Sequence, residues 1–254
     1  MMLLSDAEIE RYARQLVMPE LGEAGQTKLR AARVLVLGAG GLGAPVIAGL
    51  AGAGVGHLTI IDDDIVDITN LNRQFIHQTN RLTVPKTTSA YDFIRQLNPD
   101  ISVTCQQVRF DALNADALAS GHDLLIDCTD NPETRYLANA VCQQLGMPLI
   151  FGGAVRSDGQ ITSFVPNNPK SPCLRCIFPQ TSLDYDQAPN CANAGILGST
   201  TMIIGGLQTA EALKIIANFG TPLIGRLLLF DGLANSFTEI EVAPDPACPV
   251  CGNG

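Results

Sequence analysis

Arg33-Val34-Leu35-Val36-Leu37-Gly38-Ala39-Gly40-Gly41-Leu42-Gly43 is a short apolar run that breaks into a glycine loop. The run Arg33–Leu37 reads as a buried strand, and 42–53, rich in Ala, Leu and Gly, reads as the helix that follows it. A loop without side chains lets backbone N–H groups approach phosphates, and the dipole of the following helix favours negative charge there. His57–Ile61 is a second apolar run, and it ends at Asp62. A carboxylate about 20 residues beyond such a loop is placed to bind ribose hydroxyls. Gly38, Gly40, Gly41, Gly43 and Asp62 therefore describe a Rossmann-type site, which holds NAD, FAD or ATP equally well.

The residues that follow narrow the choice. Asp62-Asp63-Asp64 leads to Asn70-Leu71-Asn72-Arg73-Gln74 and then to Lys86. Arginine grips phosphate oxygens through two hydrogen bonds and lysine supplies a compact charge. Any one of these residues suits a solvated polar loop; the set supplies cations for a triphosphate and points to nucleotide chemistry rather than hydride transfer. Cys128-Thr129-Asp130-Asn131 closes a strand that begins near Asp123. Ligands of open α/β sheets bind at the carboxyl ends of strands, where Asp130 can hold Mg²⁺ against nucleotide phosphates. Asp130 can equally cap the helix that runs through Glu133, and the motif alone leaves both readings open.

Outside these motifs, Ser5-Asp6-Ala7-Glu8 has the form of a capping box and opens a helix that carries Arg11 and Arg14. Lys86–Leu97 reads as a helix behind Pro85, closed by Asn98-Pro99. Strands at 101–108, 123–128 and 148–151 and a helix at 133–145 complete an alternation that predicts a doubly wound α/β fold. Its sheet is mostly parallel, with helices on both faces. Beyond Gly153, strands at 160–165, 227–230 and 237–242 extend the sheet, and a helix spans Gly198–Ala217. The segment 166–190, rich in Pro, Asn, Ser and Asp, is the candidate mobile loop. The 254 residues read as one domain: an N-terminal helical segment (1–30), a nucleotide-binding half (31–153) and a second half (154–254).

Apolar residues make up 46% of the chain, which excludes disorder. No apolar run reaches the roughly 18 residues of a membrane span. Charged Asp6, Glu8 and Glu10 stand where a signal peptide needs apolar residues, so a cytosolic protein is expected. The formal charge of −9 disfavours nucleic acid as the main ligand. The eight cysteines divide into Cys173/Cys176 and Cys248/Cys251, each pair at two-residue spacing, and the lone Cys105, Cys128, Cys142 and Cys191. Two CxxC pairs supply four thiolates and fit a closed tetrahedral zinc site, with disulfides or a redox pair as the alternative. Cys105, Cys128 and Cys142 lie in apolar contexts and read as core.

Taken in order, Tyr12-Ala13-Arg14-Gln15, the glycine loop, Asp62, Asn70-Leu71-Asn72-Arg73-Gln74, Pro85-Lys86, Cys128-Thr129-Asp130-Asn131 and both CxxC pairs resemble the ThiF/MoeB/HesA family. That family is itself similar to ubiquitin-activating enzymes in their adenylation domain, and the resemblance covers nearly the whole chain. It implies an ATP-dependent adenylyltransferase acting on the C-terminal glycine of a ubiquitin-like sulfur carrier that ends in Gly-Gly, for thiamine or molybdopterin biosynthesis. Gly41 and Asp62 become nucleotide contacts, with Gly38, Gly40, Gly43, Asp64 and Gln74 around them. Asn70, Arg73 and Lys86 become phosphate ligands, and Asp130 the Mg²⁺ ligand with Asn131 beside it. Arg14 becomes a phosphate contact in the neighbouring subunit's site, which requires a homodimer. Residues 154–254 become the carrier-binding and zinc half.

Cys191, in Pro189-Asn190-Cys191-Ala192, matches a position that some relatives use for covalent attachment or sulfur transfer. No rhodanese domain is recognised, so sulfur is expected from a separate protein such as a cysteine desulfurase or rhodanese. Asn72 departs from the family, which more often has Gln there, but leaves Asn70 and Arg73 in place. Asp62-Asp63-Asp64 and the Cys248-Pro249-Val250-Cys251-Gly252 tail lean towards the ThiF type, although the MoeB type shares the frame. The competing readings are an adenylating enzyme for a peptide tail or tRNA, against the latter of which the zinc cysteines speak, an NAD-dependent oxidoreductase, and a catalytically silent zinc protein.

Overall fold

The computed structural model describes residues 4–179 and 194–252. After α1 (Asp6–Arg11), α2 (Ala13–Leu16) and α3 (Gly22–Ala31), the chain lays down β1 (Arg33–Leu37), α4 (Gly43–Ala53) and β2 (His57–Ile61). There follow α5 (Lys86–Leu97), β3 (Ser102–Gln106), α6 (Ala115–Ala119), β4 (Leu124–Asp127), α7 (Pro132–Leu145) and β5 (Leu149–Val155). The rest comprises β6 (Asp158–Phe164), α8 (Leu174–Ile177), α9 (Gly198–Ala217), β7 (Arg226–Asp231) and β8 (Ser236–Glu241).

The eight strands form one sheet in the order β3-β2-β1-β4-β5-β6-β7-β8. The first five in that order pair in parallel, and β6, β7 and β8 extend the sheet antiparallel. The register puts Leu37 opposite both Ile61 and Asp127. Gly38, Asp62 and Cys128 therefore leave the sheet side by side. Between β1 and β4 the strand order reverses, and a crevice opens there at the carboxyl ends of the strands.

Side chains of successive strand residues point to opposite faces, and each face has its own core. Val34, Val36, Leu58 and Ile60 join Ile47 and Leu50 of α4, Ile94 of α5 and Ile204 of α9. Leu35, Leu37, Leu125 and Phe151 meet Ala138 and Val141 of α7 on the other face. Helix α9 comes from the second half of the chain yet packs into the first: a Cβ on Gly205 would lie 2.3 Å from Pro45 Cγ. Its buried Gln208 donates to the Asp127 carbonyl at 2.7 Å, which fastens α9 to the end of β4.

Three expectations need correction. Arg11 and Arg14 do not share one helix: α1 ends at Arg11, and Tyr12 takes non-helical dihedrals of φ −101° and ψ 14°. The buried Tyr12 ring explains the break, since its hydroxyl accepts from Asn98 Nδ2 at 2.9 Å and holds the chain inward. The strand expected at 101–108 stops at Gln106, because no strand pairs beyond the Ile61–Gln106 position. The segment expected to be a mobile loop is structured over 166–179: Ser171 Oγ accepts from the Val165 N–H at 2.8 Å, and α8 follows. Its remainder, and Cys191, lie outside the described residues.

Candidate active site

The crevice is a cleft of about 410 Å³ bounded by the glycine loop, the ends of β2 and β4, the turn around Arg73, and Thr201 of α9. Gly38, Gly40, Gly41, Asp62, Asp64, Asn70, Arg73, Gln74, Lys86, Asp130 and Asn131 all line it. Gly43 does not line it; it allows the loop to close. A Cβ at Gly43 would sit 2.1 Å from the Gly38 carbonyl oxygen, so only glycine lets α4 start so close to β1. Gly38 itself has φ +93°, a left-handed conformation suited to glycine. Helix α4 has no side-chain N-cap; Pro45 brings no N–H and the Ala44 N–H is taken by the Gly40 carbonyl at 2.9 Å, so the N–H groups offered to an anion are those of the loop just ahead of it.

Asp62 anchors this loop. Its carboxylate accepts from the Ala39 N–H at 2.7 Å and the Asp64 N–H at 2.9 Å. Burial nevertheless raises its pKa above the ordinary carboxylate value, against the opposing pull of Lys86. Lys86 is almost wholly buried at the first turn of α5, and its ammonium meets the exposed Asp64 carboxylate at 2.7 Å. Lys86 and Asp64 both line the cleft. Arg73 is half-buried and donates to the Thr69 carbonyl at 3.0 Å and to Asn72 Oδ1 at 3.1 Å. Gln74 is buried, and its Oε1 has no hydrogen-bond partner among the described residues. An orphaned polar atom in a cleft wall is costly unless a ligand or water completes it.

Of the two roles that the sequence left open for Asp130, the cap of α7 goes to its neighbour. Asn131 caps α7, accepting from the Thr134 N–H at 3.1 Å. Asp130 is exposed and makes no hydrogen bond or ion pair among the described residues. Its carboxylate is thus unspent at the mouth of the cleft. Arg14 is exposed on α2 and does not line the cleft of its own chain.

Sequence reasoning overlooked Arg135, which also lines the cleft. Its guanidinium pairs with the buried Asp127 at 3.6 Å, donates to the Thr129 carbonyl and lies 5.2 Å from the Phe151 ring centre. It thereby holds the turn that presents Asp130. An arginine one turn into a helix gives no signal of this, because its partner lies eight residues upstream on β4. His77 was overlooked too, since its ring partners, the Ala39 carbonyl and Ser89 Oγ, lie 38 and 12 residues away.

Beside α7, where the Leu174 N–H donates to Asn139 Oδ1 at 2.9 Å, the four paired cysteines converge. Cys173 Sγ lies 3.6 Å from Cys248 Sγ, Cys176 Sγ 3.3 Å from Cys251 Sγ, and Cys173 4.0 Å from Cys176. All four sulfurs fall within 4.8 Å of one another. Sulfurs at about 2.3 Å from a tetrahedral zinc lie about 3.8 Å apart, so the set fits that ion, and the distances exceed the about 2 Å of a disulfide. The other described thiols, Cys128, Cys142 and the half-buried Cys105, are core residues whose pKa values burial raises.

Comparison with known proteins places residues 12–250 in the ThiF family. The chain belongs to that family. It is 42% identical to the SAMP-activating enzyme E1 of Haloferax volcanii, covering 99% of this chain and 92% of that protein. It is 41% identical to the sulfur carrier protein adenylyltransferase of Thermus thermophilus (97% and 92% covered). With the molybdopterin-synthase adenylyltransferase of Salmonella typhimurium it shares 40% identity, covering 98% of each. Adenylyltransferase is the enzyme class of this family member. The fold recurs in the crystal structure of E. coli MccB with MccA-N7isoASN, at TM-score 0.85 and 23% identity, covering 96% of this chain and 75% of that one. No helix among the described residues is long and apolar enough to cross a membrane.

Proposed function

We propose that the chain adenylates the C-terminal glycine carboxylate of a ubiquitin-like sulfur carrier, as its relatives' names suggest. The observation that carries this reading is the uncommitted Asp130 carboxylate in the same glycine-loop cleft as Arg73 and Lys86. ATP fits with its phosphates on the glycine loop and its ribose at Asp62. In the reaction a carrier carboxylate oxygen attacks the α-phosphorus, the bond to the β-phosphate oxygen breaks, and pyrophosphate leaves with the electron pair. No general base is required, because the nucleophile is already ionised.

Two anions must meet in this step, so positive charge is the main catalytic requirement. Arg73 and Lys86 supply it from this chain, and Asn70 and Gln74 orient the phosphates by hydrogen bonds. Asp130, with Asn131 beside it, would hold Mg²⁺, which offsets phosphate charge when bound. Arg14, which does not line the cleft of its own chain, serves the site of a second copy in a homodimer. The four cysteines hold a structural zinc that ties the C-terminal tail to α8. On this reading 1–30 is the helical segment bearing Arg14, 31–153 the nucleotide half and 154–254 the carrier and zinc half. The protein acts in the cytosol with a separate sulfur donor, and Cys191 belongs to the later sulfur step. An NAD-dependent reaction would leave Arg73, Lys86 and Asp130 without a task.

The test is ATP–pyrophosphate exchange with Mg²⁺ and thiamine-type or molybdopterin-type carriers ending in Gly-Gly. Exchange should depend on one carrier, and Asp130→Ala should reduce it about a hundredfold or more while the protein stays folded. Exchange that survives Asp130→Ala removes that residue from the mechanism. ATP binding without exchange for either carrier points instead to a peptide or tRNA acceptor.

A further inference from the structure

His77 is buried at 4% exposure and has no part in the chemistry above. Its ring nevertheless joins three separate pieces of the nucleotide cleft. Nε2 lies 2.9 Å from the carbonyl oxygen of Ala39 in the glycine loop. Nδ1 lies 2.9 Å from Ser89 Oγ on α5, three residues after Lys86. The backbone N–H of His77 donates to the Gln74 carbonyl at 2.9 Å, which joins the ring to the turn carrying Asn70 and Arg73.

A carbonyl oxygen only accepts, so Nε2 must carry the proton. Nδ1 is then left as an acceptor for the Ser89 hydroxyl, and a neutral imidazole satisfies both contacts at once. Ala39 is consequently held from two sides, its N–H by Asp62 and its carbonyl by His77. Leu, Phe or Met would fill the same space but could not make this bridge. We propose that His77 is a positioning residue that fixes the glycine loop, the Asn70–Gln74 turn and the Lys86 end of α5 relative to one another, and so sets the cradle for the ATP phosphates.

This inference draws on the adenylation reading only for its kinetic arm. The direct test is ATP affinity measured by calorimetry for wild type, His77→Ala, His77→Gln and Ser89→Ala, with melting temperatures recorded beside it. His77→Ala should weaken ATP binding about tenfold. His77→Gln, whose amide N–H can still reach the Ala39 carbonyl, should return to within about threefold of wild type. In pyrophosphate exchange the loss should appear as a higher KM for ATP, with the carrier's KM unchanged. A merely destabilised protein would instead lose active fraction at constant KM. Should His77→Ala not fold, Ser89→Ala carries the test, with an expected loss of about three- to tenfold.

The proposal is overturned if the folded variants bind ATP within about twofold of wild type, or if His77→Gln binds as weakly as His77→Ala at a similar melting temperature. Wild-type protein that binds ATP but exchanges no pyrophosphate would defeat the adenylation reading and leave the affinity comparison standing.

Discussion

At the scale of single residues, the cleft is governed by how each polar group is satisfied. Asp130 gains its availability because Asn131, its neighbour, takes the cap of α7. The sequence offered Asp130 itself as the cap, and the structure gives that place to Asn131. His77 makes a prediction for pH. Burial pulls its pKa below the ordinary imidazole value of 6.5, and the nearby Lys86 charge acts in the same direction. A depressed imidazole pKa means that the unfolded chain binds the proton more readily. The stability contributed is therefore present above about pH 6.5 and lost as pH falls through the folded value. Between pH 7 and pH 5 the melting temperature of wild type should fall further than that of His77→Gln. His122, shifted downward by its own burial, is common to both proteins and cancels in the comparison. Equal falls would show that His77 is not held neutral by the fold.

At the scale of elements, the close start of α4 on β1 gives the next prediction. Gly43→Ala would force a methyl group against the Gly38 carbonyl, so it should destabilise the protein by about 1–3 kcal/mol and weaken ATP binding. The urea midpoint and a calorimetric titration check both effects, and unchanged values would mean that the loop relaxes freely. The core strands were legible because β1, β2 and β4 are buried on both faces and read as continuous apolar runs. Lys86–Leu97 was legible from the Pro85 that precedes it and the Asn98-Pro99 that ends it. The break at Tyr12 was hidden, since the force that bends the chain is a tertiary contact with Asn98, 86 residues away. The same holds for Arg135 and His77, whose partners are backbone carbonyls contributed by other elements. Motif spacing shows which side chains face a ligand; it is silent on those that hold the facing ones in place.

At the scale of the whole molecule, one device ties distant parts of the chain together and a second is proposed. The cysteine cluster joins α8 to the C-terminal tail across 75 residues. Removing one sulfur by Cys176→Ala should lower zinc content and reduce the melting temperature by on the order of 5 °C or more, and full zinc occupancy in that variant would contradict the four-cysteine site. Arg14 makes the second device, if it completes a neighbour's cleft. A mixture of Arg14→Ala and Asp130→Ala subunits, each inactive alone, should then recover about a quarter of the wild-type sites, because half the dimers are mixed and each mixed dimer holds one intact site. No recovery on mixing would place Arg14 in its own chain's chemistry or outside the chemistry altogether. The central claim, that a carrier's terminal carboxylate receives AMP, is tested most directly by the mass of the carrier after incubation with enzyme, ATP and Mg²⁺, without a sulfur donor. The account predicts a carrier heavier by one AMP, with the addition at its last glycine and absent with the Asp130→Ala enzyme. A carrier of unchanged mass under conditions where ATP is bound or consumed would contradict it.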